Sequence, residues 1–166
     1  MHKEYGIIGK SLVHSFSQQY FQTKFEKEHV KEASYQLFPL QSLNEFRALI
    51  DNNKTLFGLN VTIPYKESIV KYLDNVDDVA QEVGAVNTIK IIRENNQCIT
   101  MGYNTDVIGF ESIINNYSIS SFRSALILGT GGAAKAVAYV LKKNGISYRF
   151  ISRQIKENSL TFKQLN

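Results

Sequence analysis

The stretch from Ala125 to Leu141, ALILGTGGAAKAVAYVL, constrains the fold of this 166-residue chain more than any other segment. An apolar run enters a glycine-rich turn, Gly129-x-Gly131-x-x-Ala134, and an amphipathic pattern leaves it. The spacing is that of the dinucleotide fingerprint with its permitted terminal alanine, whose small residues let backbone N–H groups approach a pyrophosphate at the positive end of a helix. Ala133, Ala136, Val137, Val140 and Leu141 are expected on that helix's apolar face. The same glycines would also serve a tight strand-to-helix turn that binds nothing. A second strand, Ser147 to Ser152, is followed by Arg153. An NAD site carries an acidic residue about 20 residues on, for the ribose hydroxyl. None stands here. A guanidinium suits a 2′-phosphate, so the expectation is NADP rather than NAD, beside the plainer reading of Arg153 as a surface arginine.

Strand and helix patterns alternate through the rest of the chain. Strands are expected at Tyr5 to Ile8, Ser34 to Phe38 and Leu56 to Thr62, with helices at Gln18 to Val30 and from Ser42, whose Glu45 completes a capping box. Lys66 to Leu73 and Val76 to Val83 read as short helices. Ala85 to Ile92 and Gln97 to Gly102 flank Glu94-Asn95-Asn96 and read as an antiparallel hairpin. A helix over Thr105 to Tyr117, a polar link over Ser118 to Ser121, and a strand over Arg123 to Leu128 follow. The fold class is α/β: a three-layer αβα domain with a mostly parallel mixed sheet over residues 1–104, then a bridging helix and the start of a Rossmann-type domain over residues 105–166.

Composition narrows the functional classes. Hydrophobic residues make up 43% and charged residues 20%, a globular profile without a long apolar run, so no membrane span is expected. The first residues lack the apolar core of a signal peptide, and the single cysteine, Cys98, permits no internal disulfide and no thiolate metal cluster. These features favour the cytoplasm and a site without metal. The net charge of +4 is spread without a dense Lys/Arg cluster, which suits small anionic ligands better than nucleic acid.

Lys66 breaks a local rule. Pro64 biases Ile63 to an extended conformation and is itself suited to a helix start, so Lys66 is expected in the first helical turn, where the macrodipole disfavours a cation. Dipole and partial burial would both lower its pKa towards use as a proton donor and acceptor. A flexible lysine reaching solvent fits the same letters. Other polar residues collect at expected strand ends: Ser15 and Ser17 after the first strand, Thr62 at the end of the third, Asn87 early in the fourth, and Asp106 after the last. Each has an ordinary structural use, Ser17 and Asp106 as helix caps and Asn87 in a turn. Together they sit where an open α/β sheet keeps its ligand crevice, and they suit a polyhydroxylated small molecule.

The combination resembles the shikimate dehydrogenase family over essentially the whole chain. The motifs are Tyr5-Gly6-Ile7-Ile8-Gly9 leading to His14-Ser15-Phe16-Ser17, then Gly58-Leu59-Asn60-Val61-Thr62-Ile63-Pro64-Tyr65-Lys66, Gly84-Ala85-Val86-Asn87-Thr88, Gly102-Tyr103-Asn104-Thr105-Asp106-Val107-x-Gly109, and Gly129-Thr130-Gly131-Gly132-Ala133. The resemblance implies reversible NADPH-dependent reduction of 3-dehydroshikimate to shikimate, in aromatic amino acid biosynthesis. It implies Lys66 as acid/base with Asp106 as its hydrogen-bonded partner. Ser15 and Ser17 would hold the substrate carboxylate, and Thr62, Asn87 and Asp106 the ring hydroxyls. Gly129, Thr130, Gly131, Gly132, Ala133, Ser152 and Arg153 would hold the cofactor. The expected partner is the small-molecule substrate, with no nucleic acid or membrane, in a monomer or homodimer.

Three features depart from the family pattern. Gln18 stands where proline usually follows the second serine, and Ser152 where asparagine often precedes the arginine. The third is that Asn166 falls two strands into the expected nucleotide domain, as in a fragment or a natural or engineered short form. The strand over Arg123 to Leu128 is then expected to keep an open edge, with weak nucleotide affinity unless a partner chain completes the sheet. The alternatives are a quinate/shikimate dehydrogenase with broader substrate use and a shikimate-binding module without catalysis.

Overall fold

The computed structural model describes residues 2–94, 97–117, 122–153 and 158–164. They form two compact units, one of residues up to Asp77 with Val86–Tyr103, the other of Asp78–Ala85 with residues from Asn104 onward. The expected polar link at 118–121 and the tip of the expected hairpin, Asn95-Asn96, lie outside the described residues.

The first unit runs β1 (Lys3–Gly9), α1 (Ser17–Lys27), β2 (Ala33–Pro39), α2 (Phe46–Asn52), β3 (Leu56–Val61), β4 (Asn75–Val76), β5 (Thr88–Glu94) and β6 (Gln97–Tyr103). Its sheet has the order β2-β1-β3-β5-β6-β4. β1 is parallel to β2 and to β3, while β5 is antiparallel to both β3 and β6. The sheet is therefore mixed, with its parallel part at β2-β1-β3. Strand periodicity sorts the side chains. Tyr5 and Ile7 stand beside Tyr35 and Leu37 in register and receive Phe21 and Phe25 of α1. Phe21 stacks on Tyr35 with ring centroids 4.4 Å apart. The opposite set, Ile8, Leu59, Val61, Ile89 and Ile91, is buried as well.

Several local expectations need correction. α1 stops at Lys27 because His29 takes a left-handed φ of 55°. Val30 N–H then closes on the Phe25 carbonyl at 2.8 Å and His29 N–H on that of Glu26 at 3.2 Å, the bonding of a Schellman end. The Ser42–Glu45 capping box forms, but it opens a 3-10 turn, Leu43–Glu45, that leads into α2. Lys66 to Leu73 is not a helix holding Lys66 in its first turn. A 3-10 segment covers Ser68–Tyr72, and Lys66 lies in the turn before it, after a cis Ile63–Pro64 peptide. The macrodipole argument for that lysine therefore has no helix behind it. Nor does a helix begin at Val76. Asn75–Val76 pairs in parallel with Met101 and Gly102 of β6 as β4, and the helix starts at Asp78.

The second unit holds α3 (Asp78–Val83), α4 (Thr105–Ile114), β7 (Ser124–Leu128), α5 (Gly132–Lys143), β8 (Ser147–Ile151) and β9 (Ser159–Leu160). α3 belongs here because Val83 and Ala85 bury with Val107, Ile114, Ala136 and Val140 in one cluster. α4 ends at Ile114, short of the expected Tyr117, which is 66% exposed. The sheet is all parallel, in the order β7-β8-β9. β9 is a strand the sequence reading does not contain. On α5, Ala136, Val140 and Leu141 are buried as expected, but Ala133 faces solvent and Ala138 is buried instead. Among the described residues no helix is long and apolar enough to cross a membrane, and no group of three or more His, Cys, Asp or Glu side chains could hold a metal.

Candidate active site

In the first unit, the ladder bonds bring four separated segments to one end of the sheet. β3 ends at Val61, one residue short of expectation, and Thr62 N–H donates to the Ile8 carbonyl of β1 at 2.9 Å. Gly9 follows Ile8, and no side chain would fit there. A Cβ at Gly9 would come within 2.6 Å of Thr62 Cγ2 and 2.9 Å of Leu12 Cδ2. On the other side of β3, Val61 N–H donates to the Asn87 carbonyl at 2.8 Å, and Asn87 N–H donates to Tyr103 at 3.0 Å. Asn87 precedes β5 rather than lying inside it, and is 8% exposed.

Lys66 is anchored through its neighbours. Tyr65 is buried, and its hydroxyl donates to the Leu40 carbonyl at 2.7 Å. Val86 N–H donates to the Lys66 carbonyl, also at 2.7 Å. The half-buried lysine side chain thus leaves a backbone fixed on both sides, beside the Val86–Asn87 segment.

The two serines lie between β1 and α1. Ser15 N–H donates to the Leu12 carbonyl at 2.9 Å, and Ser17 N–H to Ser15 Oγ at 3.4 Å. Ser17 is not the cap of α1; Phe16 occupies that position, and Ser17 is the first helical residue. Tyr35 lies on β2. Tyr35 Oη donates to Asn60 Oδ1 at 2.8 Å, and Asn60 Nδ2 reaches Thr88 Oγ1 at 3.4 Å. Thr88 Oγ1 donates to Asn87 Oδ1 at 3.1 Å. Burial pushes the Tyr35 phenol above its ordinary range, so it remains neutral. A line of four hydrogen-bonded side chains therefore links Tyr35 to Asn87 across β2, β3 and the start of β5. Tyr35 and Asn60 are the residues the sequence reading missed. Asn60 carried a signal, a polar residue in the otherwise apolar run Leu-Phe-Gly-Leu-Asn-Val; Tyr35 looked like core.

A hollow of about 600 Å³ on the α1 side of the sheet includes Tyr5, Phe21, Phe25, Asn60 and Thr88 in its lining, but none of Ser15, Ser17, Thr62, Lys66 or Asn87. The candidate site is the strand-end cluster, because that is where backbone bonds fix the segments that carry the polar residues.

Asp106 belongs to the second unit, in the first turn of α4. It does not cap that helix. Asn104 does, its Oδ1 accepting from Val107 N–H at 3.3 Å while its Nδ2 donates to the Ala85 carbonyl at 2.8 Å. The glycine-rich turn joins β7 to α5 in the same unit. Gly129 takes a φ of 104°, which demands glycine, and its N–H donates to the Ile151 carbonyl at 2.9 Å. Gly131 is different. Its φ of −83° suits any residue, and a Cβ there would meet nothing within 4 Å. Neither backbone nor packing requires that glycine, so the space it keeps open suits a ligand approaching the start of α5. Ser152 and the exposed Arg153 follow the end of β8 in the same unit.

Residues 7–89, half of the chain, match the family model for the shikimate dehydrogenase substrate binding domain. The chain belongs to the shikimate dehydrogenase family. Shikimate dehydrogenase (NADP(+)) of Clostridium beijerinckii is 44% identical over 159 residues, covering 93% of this chain and 57% of the relative. The crystal structure of shikimate dehydrogenase 1 from Peptoclostridium difficile superimposes with a TM-score of 0.82 at 34% identity, covering 98% of this chain and 62% of that one. The enzyme from Thermus thermophilus, solved in complex with NADP(H) and shikimate, gives a TM-score of 0.76 at 28% identity, with 92% and 56% covered. The chain thus spans about six-tenths of the length of these relatives.

Proposed function

We propose that this chain carries the substrate-binding and acid/base part of an NADP-dependent dehydrogenase that interconverts 3-dehydroshikimate and shikimate. The observation that supports the reading best is the strand-end cluster, in which Ser15 and Ser17, Thr62 and Lys66, and Asn87 come from three segments tied together by backbone bonds. Ser15 and Ser17 hold the substrate carboxylate. Thr62 and Asn87 hold ring hydroxyls. Lys66 gives a proton to the ketone oxygen during reduction and takes it back during oxidation. Such positioned proton transfer contributes about 10²–10⁴-fold to rate.

NADPH, when bound, supplies the hydride that reduces the ketone carbon. The residues that would hold it are the backbone of Gly129, Thr130, Gly131, Gly132 and Ala133 for the pyrophosphate, and Ser152 with Arg153 for the 2′-phosphate. The space at Gly131 and the presence of Ser152-Arg153, rather than an acidic residue, directly after β8 support that assignment.

The test is titration of the purified 166-residue chain with shikimate, followed by NMR. Perturbed resonances should centre on Ser15, Ser17, Thr62, Lys66 and Asn87. A folded chain showing no shift at any of them would refute the reading. Lys66 is tested by NADPH formation from shikimate and NADP. Lys66→Ala should lower the rate by about two orders of magnitude or more while keeping shikimate affinity, and equal turnover would remove the lysine from the chemistry.

A further inference from the structure

We propose that Thr88 and Asn60 are positioning residues that fix which end of the Asn87 amide faces the ligand, so that Asn87 recognises substrate as a hydrogen-bond donor. The proposal rests on the functional reading above, in which Asn87 holds a ring hydroxyl.

The two ends of an asparagine amide have nearly the same shape and opposite chemistry, since Oδ1 accepts and Nδ2 donates. Near Asn87 a backbone group removes the ambiguity. The Asn87 carbonyl, which accepts from Val61 N–H at 2.8 Å, also lies 3.5 Å from Asn60 Nδ2. A carbonyl cannot donate, so the end of Asn60 turned towards it has to be the NH2 group. The other end, Oδ1, takes the Tyr35 hydroxyl proton at 2.8 Å. Tyr35 is 2% exposed and its ring stacks on Phe21, so that bond comes from a side chain packed in the core. Asn60 and Thr88 stand opposite each other in the β3–β5 ladder, and Asn60 Nδ2 reaches Thr88 Oγ1 at 3.4 Å. Both contacts of this nitrogen are long, as in a donor shared between two acceptors.

With Thr88 Oγ1 accepting from Asn60, the threonine proton goes to Asn87 Oδ1, 3.1 Å away. That bond turns Oδ1 towards Thr88 and Nδ2 to the opposite side of the amide. Each member donates to the next, from Tyr35 through Asn60 and Thr88 to Asn87, and bonds aligned in this way polarise one another. Reversing the Asn87 amide would set its NH2 group against an oxygen that already accepts from Asn60, and would cost the Thr88 proton this acceptor. A ring hydroxyl at Asn87 is therefore read through its oxygen, and its own proton is left for another partner.

The experiment is shikimate titration followed by NMR, in the full chain and in Thr88→Val, Thr88→Ser, Tyr35→Phe, Asn87→Ala and the double variant of Asn87→Ala with Thr88→Val. Thermal melts show which variants fold. Thr88→Val keeps the shape of the side chain and removes its hydroxyl. It should weaken binding about five- to tenfold, the worth of one hydrogen bond, and Thr88→Ser should restore affinity to within about twofold of wild type. Tyr35→Phe, one bond further back, should weaken binding about two- to threefold, and it carries the test if Thr88→Val does not fold. Asn87→Ala should itself weaken binding about tenfold. In that background Thr88→Val should add less than about a twofold effect, because the two residues act as one unit. A folded wild-type chain that binds no shikimate overturns the functional reading and this proposal with it. Wild-type binding with unchanged affinity in Thr88→Val and Tyr35→Phe overturns the positioning role alone. So does an equal loss from Thr88→Val with and without the Asn87 amide, which would show a general effect on the site rather than one routed through Asn87.

Discussion

Replacing Gly9 by alanine tests whether the end of β1 and the site share one set of contacts. Gly9 is the last residue of an extended strand, so its backbone accepts alanine without strain. The obstacle is space. The new Cβ would lie 2.6 Å from Thr62 Cγ2, 2.9 Å from Leu12 Cδ2 and 3.2 Å from the Ile63 carbonyl oxygen. Carbon atoms pack at roughly 3.5–4.0 Å, so Thr62 must retreat by roughly an ångström. Leu12 is 5% exposed and has nowhere to go. Overpacking of this kind costs about 1–3 kcal/mol. The displaced groups are functional ones, since Thr62 is a proposed ligand and the Leu12 carbonyl holds Ser15 N–H. Shikimate binding should therefore weaken about ten- to hundredfold, the penalty of a misplacement of that size. The chain has nine tyrosines and no tryptophan, so urea unfolding is best followed by near-ultraviolet circular dichroism, with affinity from NMR titration. Gly58→Ala is the control. Its Cβ would meet Tyr5 Cδ1 at 3.2 Å and the Ile89 carbonyl at 3.3 Å, in mid-strand, so it should perturb stability with little effect on affinity. Wild-type stability and wild-type affinity in Gly9→Ala would refute the reasoning.

The two glycines of the nucleotide turn should behave oppositely. Gly129→Ala forces a φ of 104° on alanine and should destabilise the second unit by about 1–3 kcal/mol, whereas Gly131→Ala should leave thermal stability unchanged or raise it by about 0.4–1 kcal/mol. Arg93 donates from Nη2 to the carbonyls of Ile50 and Asn53, each at 2.9 Å, so Arg93→Ala should cost about 1.5–3 kcal/mol in urea unfolding. The Thr100 backbone N–H holds the Asp74 carboxyl below the usual carboxylate range, against a partial opposing effect of burial, with the Thr100 hydroxyl and Arg47 adding to it. A lowered folded-state pKa gives stability that is present above the unfolded value of about 3.9 and is lost as pH falls through the folded one. The urea midpoint of Asp74→Asn should therefore fall less steeply than wild type between about pH 5 and about pH 2.

Elements with a period were legible in the sequence; those held by remote partners were not. α5 was legible because small and apolar side chains recur at helical spacing after a glycine turn. β4 could not, since two residues carry no periodicity and Val76, Val79, Ala80 and Val83 imitate a helix face. What decides the matter is Asn75 and Val76 pairing with Met101 and Gly102, some 26 positions away. Lys66 was misplaced for a related reason. Pro64 reads as a helix opener from its own chemistry, but the turn that follows is set by Tyr65 reaching Leu40 and Val86 reaching Lys66. The proposed site residues stand as polar letters at expected strand ends. The wiring around Asn87 was not legible, because Tyr35, Asn60 and Asn87 are 25 and 27 positions apart and look respectively like a core residue, a strand residue and a turn residue.

That wiring separates two roles within the same residues. The backbone groups of Thr62, Lys66 and Asn87 serve the fold: Thr62 N–H binds β1, the Lys66 carbonyl binds Val86, and both backbone groups of Asn87 lie in bonds to Val61 and Tyr103. Any residue at these positions could make those bonds. The choice of threonine, lysine and asparagine is therefore not explained by the main-chain scaffold, which accords with the proposed recognition through their side chains. Asn87 goes further, because its side-chain oxygen also accepts from Thr88 Oγ1 and so belongs to the internal network that runs through Asn60 to Tyr35. On the proposed reading, an amide at that position answers to the core and to the ligand together. The Asn87 end of the proposed site is then the place where a change in the core, well away from solvent, has the most direct route to substrate binding.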